Sequence, residues 1–170
     1  NDFTALALSL PALGDGDLQV RAGRDTVRLG SVIDSAGHFD RFSQPPLAKR
    51  AVLNDQWIDD GLSIAWRRAD ADGIRALEGG LWRGRVFPGG ASGPAVPSVH
   101  LHAGWGHVDI HLMAARFQPR GRGAAAQSLG SVGHVHGALD CSASLQQRVC
   151  FDGNVDVMGG SVQWEPARGD

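Results

Sequence analysis

Apolar side chains in this sequence return every second residue, run after run, and few folds accept that rhythm. Thr4, Leu6, Leu8 and Leu10 alternate with the small residues Ala5, Ala7 and Ser9. Leu18, Val20 and Ala22 alternate with Gln19, Arg21 and Gly23, and Val27 and Leu29 continue beyond Arg24. The pattern recurs in Leu62–Trp66, Ile74–Phe87, Val99–Trp105, Val108–Ala114 and Asn154–Trp164, with a weaker run near His134–Leu139. A period of two places successive side chains on opposite sides of an extended strand. Turn signals separate the runs: Gly14-Asp15-Gly16-Asp17, Asp70-Ala71-Asp72-Gly73 and Asp152-Gly153. About eight antiparallel strands follow, each with two chemically different faces, and the fold class expected is all-β. The architecture expected is an antiparallel meander β-barrel, or a segment of a larger barrel, spanning residues 1–170 as one domain. A single helical turn is expected in Leu47–Trp57, after Pro45-Pro46.

Composition narrows the classes further. Glycine supplies 24 of 170 residues, about twice the usual share of roughly 7%, which suits turns and close-packed strands better than helices. Sixteen basic and 18 acidic residues leave a net charge of −2, so nucleic acid is not an expected partner. No apolar run nears the ~18 residues of a spanning helix, but a barrel strand crosses a membrane with only ~9–11. The chain opens on Asn1 with no visible signal peptide, as a mature or trimmed form would. Cys141 and Cys150 lie in a polar, turn-rich stretch and are expected to form a disulfide, which implies an oxidising compartment. Two stretches do not alternate, Ser31–Gln56 and Gln118–Gly133. Loops of that length usually carry function.

Alternation does not say which face meets oil. A soluble barrel turns its apolar side chains inward, and a membrane barrel turns them outward. Several longer phrases bear on the choice. Val20–Asp40 (VRAGRDTVRLGSVIDSAGHFD) and Pro46–Trp66 (PLAKRAVLNDQWIDDGLSIAW) resemble strand and loop segments of bacterial outer-membrane porin-like proteins. Leu81–Gly90, Met113–Gly123 and Val149–Val157 continue the likeness in order and spacing. The resemblance implies a transmembrane β-barrel in a Gram-negative outer membrane that passes small solutes, with Ser31–Gln56 folded partly into the lumen. Such barrels commonly have more than eight strands and close on an aromatic residue, whereas this sequence ends Glu165-Pro166-Ala167-Arg168-Gly169-Asp170.

Two sets of residues are candidates for chemistry. With Trp105-Gly106 as a two-residue turn, His100 faces His111, His102 faces Asp109, and Gly104 faces His107. Three imidazoles and a carboxylate on one strand face could hold zinc or copper at roughly 2.0–2.1 Å, or could form an ordinary polar face. Arg21, Arg24, Arg28, Arg67 and Arg83 are candidates to line a lumen and favour anions, and His38, Arg41 and Arg50 to form a constriction within Ser31–Gln56. The five tryptophans suit either an interfacial girdle or a core. There is no nucleophile elbow, zincin motif, phosphate loop or dinucleotide fingerprint, so no enzyme is expected. The leading expectation is a porin-like outer-membrane barrel whose partners are small solutes and the lipid bilayer, with a homo-oligomer left open. The alternative is a soluble periplasmic β-domain that binds a metal through the 100–111 hairpin.

Overall fold

The structure is a computed structural model that describes residues 4–11, 16–28, 57–68, 72–84, 95–119, 122–125, 139–140 and 148–165. The described residues form strands and the turns between them, and the all-β expectation holds. Among the described residues ten strands occur in chain order. They are β1 (Thr4–Pro11), β2 (Asp17–Thr26), β3 (Ile58–Arg67), β4 (Gly73–Trp82), β5 (Val96–Trp105), β6 (Val108–Phe117), β7 (Arg122–Ala125), β8 (Leu139–Asp140), β9 (Arg148–Phe151) and β10 (Val155–Trp164). Seven build one antiparallel meander in the order β1-β2-β3-β4-β5-β6-β10, and the three short strands pair separately as β8-β7-β9.

The large sheet is open among the described residues, with β1 and β10 at its edges. Six antiparallel pairings in succession leave those two edges running in the same direction. A wall closed by antiparallel pairing alone takes an even number of strands, so seven strands fit a barrel segment rather than a finished barrel. Strand limits shift from those read in the sequence. β2 ends at Thr26 and β4 at Trp82, and Leu29, Phe87 and most of Leu47–Trp57 lie outside the described residues. Of the weak run near His134–Leu139, Leu139 lies on β8 and the rest lie outside the described residues.

Connections sort by end of the sheet. β1–β2, β3–β4 and β5–β6 are joined by short turns at one end; residues 27–57, 83–95 and 118–154 link the strands at the other. The β5–β6 turn is Gly106-His107, because Trp105 pairs with Val108. Gly106 has φ +55°, a left-handed conformation that a tight hairpin needs and glycine adopts without steric cost.

Period two sets face membership, and burial distinguishes the faces. All fourteen large hydrophobic side chains exposed among the described residues share one face, from Leu6, Leu8 and Leu10 on β1 to Met158, Val162 and Trp164 on β10. Leu6 is 77% exposed, Ile64 48% and Met158 80%. The buried polar residues Asp59, Ser63, Glu78 and His100 all lie on the other face. We call these the exposed and the covered face. This distribution inverts a soluble sandwich, in which burying an aliphatic side chain yields roughly 1.5–3 kcal/mol and the polar side chains stay wet.

The compact core sits on the covered face at the long-connection end. Val27, Trp57, Trp82, Val96, Met113, Ala115 and Phe117 are buried against one another, with Val155 and Val157 packed alongside. Trp57 meets Phe117 at 4.7 Å between ring centroids and Trp82 edge-on at 6.2 Å. Asp59 ties this core to the backbone. One carboxylate oxygen accepts from the Gly84 amide at 2.6 Å and the Trp57 indole at 3.3 Å, and the other accepts from the Asp60 amide at 2.9 Å. Trp57 and Trp82 are therefore core, whereas Trp66, Trp105 and Trp164 lie on the exposed-face parity near the short turns.

Candidate functional site

The charged half of the covered face begins where the aromatic core stops. Cross-strand rows run along it. Gln19, Ala65, Glu78, His100 and Met113 form one, and Asp17, Arg67, Ala76, His102, His111 and Ser161 form the next toward the short turns. Gly104 and Asp109 pair in a third. Alternation alone brings these side chains to one side, because each strand contributes every second residue.

The register differs from the sequence reading by one pleat. His102 rather than His100 faces His111, and Gly104 rather than His102 faces Asp109. The cause is the turn: Gly106 supplies the left-handed residue, so Trp105 becomes a paired strand residue instead of part of the loop. A shift of two residues preserves the face, and the predicted partners still meet, diagonally. His100 Nε2 lies 3.2 Å from His111 Nδ1, and His102 Nε2 lies 2.6 Å from an Asp109 oxygen. The His102 and His111 rings stack at 4.2 Å with planes 9° apart, and His100 and His111 stack at 5.3 Å and 16°.

Parallel stacking works against a shared metal centre, since ring lone pairs in stacked planes point side by side. Among the described residues no three His, Cys, Asp or Glu side chains are placed to hold one ion. The Asp109 oxygen that meets His102 also accepts from Arg75 Nη1 at 2.6 Å. A guanidinium thus occupies the carboxylate that a metal would need.

Arg75 and Glu78 were not among the candidate residues. By simple alternation Arg75 belongs to the parity opposite Glu78. The β4–β5 register shifts between Ile74 and Ala76, and this bulge carries Arg75 across to Asp109. Such an irregularity depends on the partner strand and leaves no mark on the period of its own. Gly104 makes the crossing feasible. A Cβ there would fall 2.3 Å from the Arg75 guanidinium carbon, so only glycine lets that side chain lie over the backbone.

The arginine set divides. Arg21 and Arg67 lie on the covered face, where Arg21 donates to Gln19 and Asp25 at 3.0 Å each and Arg67 stands 3.7 Å from Glu78. Arg28, beyond the end of β2, is exposed, yet its charge acts on both Arg67 and His100. Arg24 is three residues from Arg21 and so takes the other face, where it lies 4.0 Å from Asp60. Arg83 reaches the same carboxylate at 3.9 Å. His38, Arg41 and Arg50 lie outside the described residues, as does Cys141; Cys150 is on β9. Comparison with protein-family models, with curated proteins and with solved structures returns no match to this chain.

Proposed function

We propose that the chain forms wall of a porin-like outer-membrane β-barrel through which small solutes pass. The observation that carries this reading is the inverted sheet, in which, among the described residues, every large exposed hydrophobic side chain lies on one face and the buried charged and polar groups on the other. Lipid makes that arrangement favourable, because the exposed leucines, isoleucines and valines then leave water.

Two dimensions support it. Six of the seven strands have 10 residues, about 33 Å of extended chain, which at a tilt of roughly 40° covers about the 25 Å of an outer-membrane apolar band. Short turns at one end and long connections at the other follow the asymmetry of such barrels, with Trp66, Trp105 and Trp164 near the turns where an interfacial girdle belongs. Covered-face arginines, histidines and carboxylates then line the solute path.

Size-exclusion chromatography with light scattering tests the reading. The protein is expected to be monodisperse in detergent and to aggregate without it. A monodisperse species in plain buffer overturns the membrane assignment. As a second measure, Ile64→Arg places a charge in the middle of the exposed face and should cost about 2–4 kcal/mol of stability in lipid; a loss near zero would count equally against it.

A further inference from the structure

Three imidazoles of the β5–β6 hairpin are packed ring on ring. His111 stacks against His102 at 4.2 Å between centroids and against His100 at 5.3 Å, with planes 9° and 16° apart. Neutral aromatic rings attract one another in such stacks, and a single charged ring is still attracted to the face of a neutral neighbour. Two charged rings in contact repel. The hydrogen bonding carries the same limit. His100 Nε2 and His111 Nδ1 lie 3.2 Å apart, so one nitrogen donates and the other must keep its lone pair. With both rings fully protonated, two N–H groups point at each other.

Among the described residues two carboxylates flank the stack, and each is shared with an arginine. One Asp109 oxygen meets His102 Nε2 at 2.6 Å and also accepts from Arg75. Burial raises the Asp109 carboxyl, but the His102 hydrogen bond and the Arg75 charge outweigh it and hold the group below its usual range. It therefore stays ionised where histidines titrate. From β4, Glu78 pairs with His100, yet its carboxylate stands 3.7 Å from Arg67. β10 places Ser161 opposite His111 and Gln163 opposite Asp109, and neither side chain titrates. His100 is the ring shut away from water, at 8% exposure. Burial above all, then the charges of His111, Arg28, His102 and Arg67, push its imidazole down to about 4.

We propose that the His100–His111–His102 stack is a proton-operated clasp between β5 and β6, which holds while at most one ring is charged and opens when a second ring takes a proton from solvent. Opening turns His100 out of its buried row and adds positive charge to the covered face in acid. Linkage sets the direction. His100 binds its proton more weakly in the folded chain than in the unfolded one, where histidine titrates at roughly 6.5. Its contribution to stability is therefore complete above roughly pH 6.5 and is lost as the pH falls toward about 4. The clasp is independent of the porin reading, because it needs only the hairpin.

NMR of the isotope-labelled protein, monodisperse in detergent or in buffer and titrated from neutral pH to about 4, tests the clasp. Imidazole nitrogen shifts report each proton, NOEs from His111 to His102 and to His100 report the stack, and the Trp57–Phe117 NOE reports the core. Both stacking NOEs are expected at neutral pH. They should vanish as His100 takes its proton near pH 4, while the core NOE persists. His111→Phe keeps a ring but removes its charge. His100 should then protonate roughly one pH unit higher, and the contact of the new ring with His102 should survive in acid. Stacking NOEs that outlast His100 protonation, a His100 midpoint at the ordinary histidine value, or a stack lost at the same pH in the variant overturns the clasp. If acid unfolds the whole chain first, denaturant unfolding between roughly pH 6.5 and 5 decides. The unfolding constant of the wild type should rise about tenfold for each pH unit lost, and that of His111→Phe by less; equal slopes overturn the proposal. The wild-type NMR titration reads the clasp even if His111→Phe does not fold.

Discussion

At the long-connection end of the covered face, Trp57, Trp82, Val96 and Phe117 pack in van der Waals contact around the Asp59 carboxylate. A few strand residues away on the same face, Arg75, Asp109, His102 and His111 meet through hydrogen bonds and ring stacking. Both regions belong to one sheet and obey one alternation. They differ in what fixes them. The aromatic end is held by volume, and its single buried carboxylate is surrounded by N–H donors. The charged end is held by directional contacts between long side chains that remain about a quarter exposed, so each contact competes with water and contributes less. A wall built this way is anchored at one end and chemically adjustable at the other.

The largest break in that contrast should come from Trp57→Ala. It removes a side chain 1% exposed from the centre of the aromatic cluster and strips Asp59 of its indole donor. We expect a loss of about 3–5 kcal/mol, read from denaturant unfolding in detergent, and a loss below about 1 kcal/mol would show that this end is not the anchor. Next is Gly104→Ala. Its new methyl group displaces the Arg75 guanidinium and with it the contact to Asp109, for an expected loss of about 1 kcal/mol. The sharper form is a double-mutant cycle, because in an Arg75→Ala background the same glycine change should cost clearly less. Equal cost in both backgrounds would separate Gly104 from Arg75. The smallest effect belongs to the exposed face, where Arg116 makes a two-pronged pair with Asp156 at 2.5 and 2.9 Å. That pair stands at the long-connection rim of the sheet, one residue from the end of β6 and of β10, where it meets water, and Arg116→Ala should leave the unfolding midpoint where it is; a clear drop would mean the pair is shielded by something it touches.

The histidine hairpin shows how much of the candidate site could be read in advance. His100, His102, Asp109 and His111 were expected on one face and lie there, since parity is a local property of an extended chain. Their pairing lies two residues from the expected register, because it depends on whether Trp105 or His107 completes the turn with Gly106. Arg24 shows the converse: three residues from Arg21, it takes the opposite face by the period alone and does not join the expected lumen arginines. Arg75 could not have been placed from its own strand, because the bulge that redirects it exists only in the pairing with β5.

By itself the sequence determined that the chain forms strands, that the strands have unlike faces, and which side chains share each face. All three follow from a repeat of two residues, and covalent geometry enforces that repeat locally. Only the tertiary structure decided which face is covered, because alternation is symmetric between burying the apolar side and exposing it. It also decided the hairpin register, the crossing of Arg75 over Gly104, and the division of the covered face into an aromatic and a charged end. Those depend on contacts between strands distant in sequence, and no local pattern of residues encodes the partner a strand will meet.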